Sequence, residues 1–133
     1  MKSCMTKEHI DVCNDCIDKC EESMRCCEEC EACIKDTHGA CKAESSECIK
    51  KNRECVEACK KCIHHCKLHM ETCHDEECRA KMEACIEECT KCIKACDECS
   101  ESLHRHNKER TECCRKCVAV CKECIEACKN CIN

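Results

Sequence analysis

The chain has 133 residues, a net charge of −5 and no Phe, Tyr, Trp or Pro, yet 28 of its residues are cysteine. That length suits a single domain over residues 1–133, and 23 basic residues spread evenly along it offer no patch for nucleic acid. No stretch approaches the apolar run of a membrane span, and Met1 to Ile10 lack the apolar core of a signal peptide, so the chain is expected in the cytosol, where thiols stay reduced.

The first helix is predicted from about Thr6 to Thr37, ended by His38 and Gly39, the only glycine. Along it His9, Cys13, Cys16 and Cys20 are spaced by 4, 3 and 4 residues, and Cys27 and Cys30 continue the row. Steps of three and four put side chains on one face of an α-helix, whereas a strand repeats every two. Cys26 and Cys33 flank that face, and Cys4 precedes the helix. The second helix is predicted from near Cys41 to Cys73, with Cys41, Cys48, Cys55, Cys59, Cys62, Cys66 and Cys73 on its inward seam.

Asp75 then reads as an N-cap, with Glu76 and Glu77 complementing the dipole of a third helix that runs to about Leu103. Its seam carries Cys78, Cys85, Cys89, Cys92, Cys96 and Cys99. Asn107 is the expected cap of a fourth helix ending at Ile132, with Cys114, Cys117, Cys121, Cys124, Cys128 and Cys131 inward and Cys113 beside them. Short connections predict an all-α, antiparallel up-down four-helix bundle with a cysteine-lined core, about 40 to 48 Å long. Leu, Ile, Val and Phe together number only 15, a poverty typical of disorder. Free cysteine behaves as a small buried hydrophobe, so sulfur replaces the usual leucine seam. Ile17, Val56, Ile86 and Ile125 each follow a seam cysteine and widen the stripe toward a neighbouring helix or another subunit.

Inert packing is a poor account of so many inward thiols, because Leu or Ala packs a bundle without the oxidation hazard. Helical neighbours three or four apart have Cβ atoms about 5 to 6 Å apart, too far for a disulfide, although cross-helix disulfides stay open. Metal binding remains, and charge selects the metal. Seven four-thiolate zinc or iron-sulfur sites would bury about fourteen uncompensated negative charges. Cu(I) is singly charged and soft, and bridging thiolates let it approach one ion per sulfur, leaving the core nearly neutral with on the order of 20 to 28 ions per chain.

The repeated C-x3-C-x2-C-x3-C rows beginning at Cys55, Cys85 and Cys117 resemble the copper storage proteins, four-helix bundles filled with cysteine. The resemblance spans nearly the whole chain. It implies high-capacity storage and sequestration of Cu(I) for detoxification, no catalysis and a cytosolic homotetramer; a copper chaperone is a candidate delivery partner. One bundle end gathers Met5, His9, His69, Met70, His74 and Met82, with His9, His69 and Met82 on seam positions. Imidazole and thioether bind Cu(I) less tightly than thiolate and would pass ions inward. His38, His104 and His106 fall at the other end, and His64 and His65 lie off the seam. The alternatives are a metallothionein-like zinc and cadmium buffer, or a redox protein whose thiols cycle through disulfides. An enzyme is not expected, since no single thiol is set beside a base.

Overall fold

The computed structural model describes residues 6–37, 42–102 and 107–132, and four helices fill them: α1 (Lys7–Thr37), α2 (Lys42–Thr72), α3 (Glu76–Ser102) and α4 (Asn107–Ile132). Each helix packs against two others, α1 against α2 and α4, and α3 against α2 and α4. Sulfur contacts give the directions. Cys13 meets Cys62 while Cys27 meets Cys48, and Cys85 meets Cys128 while Cys99 meets Cys114, so adjacent helices run antiparallel. The fold is the expected up-down bundle.

Helix ends follow local chemistry. The Thr6 hydroxyl accepts a 3.1 Å bond from the His9 N–H and caps α1. Asp75 precedes α3 as expected, with Glu76 and Glu77 in its first turn, and its carbonyl accepts from the Arg79 N–H at 2.9 Å. Arg79 also donates from its guanidinium to the carbonyls of Met70 and Cys73, satisfying the open C-terminus of α2 across a three-residue connection. Asn107 is the first residue of α4 rather than a cap outside it, and α3 is assigned only as far as Ser102. The predicted stop at His38 and Gly39, the start at Cys41 and the residue Leu103 lie outside the described residues.

The core is sulfur. The described seam cysteines are buried, most of them completely. Ile17, Val56 and Ile125 are buried beside them, and Ile49, Ile63, Ile86, Ile93 and Val118 pack half-buried around the outside of the column. Charge covers the exterior: Lys91 pairs with Glu87 at 3.3 Å along α3, and Arg115 donates to Glu31 at 2.7 Å across α4 and α1.

Candidate metal centre

Because every helix repeats steps of three and four, cysteines from all four reach the axis at the same heights and form rungs. One rung is Cys13, Cys62, Cys85 and Cys128, with Cys62 and Cys85 at 3.4 Å and Cys85 and Cys128 at 3.7 Å. The next holds Cys16, Cys59, Cys89 and Cys124, joined by contacts of 3.6 to 4.0 Å. Cys20, Cys55, Cys92 and Cys121 follow at 3.6 to 3.9 Å. Further along lies Cys27 with Cys48, Cys99 and Cys114.

Neighbouring rungs share sulfurs. Cys16 belongs to one four-thiol group with Cys62, Cys89 and Cys128 and to another with Cys20, Cys59 and Cys124, while Cys20 joins a third with Cys55, Cys92 and Cys121. In each group all ligand atoms lie within 4.8 Å of one another. A thiolate placed in two groups is placed to bridge two soft metal ions.

Protonation in this column is collective. Hydrogen bonding with Cys124 and Cys16, and burial after it, holds the Cys59 thiol far above its ordinary range, whereas bonds from Cys128 and Cys13 pull Cys62 down. Each thiolate is thus sustained by the thiols around it, and burial opposes ionising many at once.

At one mouth of the column the His9 imidazole is only 1% exposed, with Nε2 at 3.4 Å from Cys13, 3.6 Å from Cys131 and 3.8 Å from Cys66. Hydrogen bonds with Cys13 and Cys66, and a further one with His9, bring Cys131 down to about 6. Burial lowers the basicity of His9, but the bond and charge of Cys131 outweigh it and raise the group overall. His9, Cys66 and Cys131 are one of the metal-competent groups. The ring of His69 stands 5.8 Å from that of His9, and burial, then His9, lowers its pKa. Met82 is fully buried, Met70 packs half-buried on the core, and His74 is exposed. His64, off the seam, lies on the surface, whereas His65 is half-buried, 3.8 Å from Glu8 and near His9.

Cys26 and Cys113 flank the column half-buried. Cys33 is disulfide-bonded, which removes its sulfur from the thiolates available to metal, a correction to its place among the expected ligands. Among the described residues no other cysteine is joined in a disulfide. Cys4, Met5, His38, Cys41, His104 and His106 lie outside the described residues. Sequence reasoning missed Ser23, Asn52, Ser102 and Arg110, all buried at the core. Arg110 lies near enough to Cys30 for its charge to help the hydrogen bonds of Cys114 and Cys48 bring that thiol down to about 3.

A helical bundle whose interior is a column of shared thiols, closed at one mouth by an imidazole and three sulfurs, defines a metal-holding protein. A family model described as copper storage protein matches residues 48–132, and the chain belongs to that family. No curated protein and no solved structure matches it.

Proposed function

We propose that the protein stores Cu(I) at high capacity, holding on the order of 20 to 26 ions per chain on thiolates that bridge between rungs. The observation that carries this reading is the sharing of Cys16 and Cys20 between four-thiol groups. Isolated tetrathiolate zinc sites need separate sulfur sets and about two negative charges each, which a stack of rungs 3.4 to 4.0 Å across cannot shed. Monovalent copper on bridging sulfur leaves the same column nearly neutral.

Copper enters at the mouth formed by His9, Cys66 and Cys131, with His69 and Met82 as weaker ligands beside it. The role is sequestration rather than catalysis, which accords with membership of a storage family. The closely faced thiols of the column, unlike Cys33, are not joined in disulfides, which supports a reducing, cytosolic location; no described helix is long and apolar enough to cross a membrane. Assembly as a homotetramer completes the reading on the family resemblance, with a copper chaperone as the delivering partner.

Metal competition tests it. Protein first loaded with Zn(II) and then given Cu(I) under reducing, anaerobic conditions is expected to release its zinc quantitatively. Zinc retained against Cu(I) would overturn the copper reading in favour of a zinc buffer.

A further inference from the structure

The thiol column is interrupted once in the middle of the described bundle. Ser23 lies three residues after Cys20 and four before Cys27, and Asn52 lies four after Cys48 and three before Cys55. Those are the spacings at which cysteine recurs elsewhere, so each residue occupies a seam position that sulfur would otherwise fill. Both are completely buried, and they fall in the same rung, opposite Cys96 and Cys117. Half of that rung is therefore sulfur and half is not.

The two polar side chains satisfy each other. Ser23 Oγ donates to Asn52 Oδ1 at 2.6 Å, and Asn52 Nδ2 donates to Ser100 Oγ at 3.4 Å and to Cys48 Sγ at 3.7 Å. A neutral hydroxyl and a neutral amide are hard donors that compete poorly with thiolate for Cu(I), and the amide oxygen already accepts a short bond. Sulfur continues through this rung on the α3 and α4 side, where Cys121 reaches Cys117 at 4.0 Å and Cys117 reaches Cys96 at 3.7 Å. Beyond it Cys117 interacts with Cys27 and Cys99.

We propose that the Ser23 and Asn52 pair divides the core into two copper pools. The larger pool extends from the His9 mouth to the rung of Cys20, the smaller is centred on the rung of Cys27, and Cys96 with Cys117 forms the bridge between them. The division rests on the copper-storage reading, since it describes how stored Cu(I) is partitioned. An ion leaving the smaller pool for the mouth moves from four-sulfur surroundings into a two-sulfur rung and out again, so this transfer is slower than exchange within either pool.

The test is removal of Cu(I) from the fully loaded, anaerobic protein by excess chromogenic chelator. The wild type is expected to release copper in two phases whose rates differ by about tenfold, the minor phase matching the Cys27 pool. The S23C/N52C variant, with a complete rung, is expected to merge them into one phase and to raise the capacity. S23A, which adds no sulfur, keeps both phases, and C96S/C117S slows the minor phase alone. Full capacity with a single phase in the wild type would overturn the division and leave the storage reading standing. No copper uptake at all would overturn both. Two phases persisting in a helical S23C/N52C variant, or merging in S23A, would show that the pair fixes helix register without partitioning metal.

Discussion

Cys62 on α2 and Cys85 on α3 bring their sulfurs to 3.4 Å, and each is also within reach of the neighbouring helices, Cys62 at 3.9 Å from Cys13 and Cys85 at 3.7 Å from Cys128. Four helices thus meet at one point through thiols alone. A Cu(I) ion placed there has two or three sulfurs to choose from without moving a helix.

Replacing one of these thiols is expected to lower capacity in small steps. Cys62→Ser should reduce copper bound at saturation by about one or two ions, because a hydroxyl is a poor ligand for a soft ion and a bridging sulfur serves two. Stability of the metal-free form should fall by no more than about 1 to 2 kcal/mol, as the substitution is nearly isosteric and the hydroxyl retains neighbours to bond. Chelator titration and urea unfolding under reductant check both.

The metal-free bundle is expected to be folded. Buried thiols pack as small apolar groups, unlike the ligands of a zinc finger, which stay disordered without their metal. Circular dichroism of the reduced, metal-free chain should give a helical spectrum that copper changes little. A coil spectrum that becomes helical only on adding Cu(I) would contradict this.

Copper binding should release protons. Cys20 is held up by hydrogen bonding to Cys121 and by burial, and Cys59 by Cys124 and burial, so near pH 7 these thiols carry protons that Cu(I) must displace. Protons then compete with copper. Apparent affinity weakens as pH falls, by about tenfold per pH unit for each proton displaced, and strengthens as pH rises toward the ordinary thiol range. A pH indicator in weak buffer, read during titration, should report about one proton per thiolate formed.

The mouth should govern speed rather than capacity. His9→Ala removes an imidazole whose Nε2 faces three thiols, and copper uptake should slow several-fold while saturation changes by no more than about one ion. Stopped-flow uptake beside equilibrium titration separates the two effects. An unchanged rate would place the entrance elsewhere.

Much of this was legible because cysteine repeats at helical spacing: the four helices and the inward thiols follow from steps of three and four, and their antiparallel order from the short connections. Asp75 was legible as a helix start because an acidic first turn follows it. Ser23 and Asn52 were not, since a polar residue in a seam reads as a local break until the register of two helices places both in one rung. Arg79 closing α2 depends on how a three-residue connection folds, which no periodicity encodes. The disulfide state of Cys33 was hidden for a similar reason, as spacing along one helix does not reveal which thiols are joined.

The central claim is a multinuclear copper store, and anaerobic titration of the reduced protein with Cu(I) beside a chromogenic Cu(I) chelator tests it most directly. The protein should take up well above ten equivalents per chain before the chelator colours, with a sharp break on the order of 20 to 26. Colour from the first equivalents would contradict the account, because it would mean that the thiol column does not hold copper.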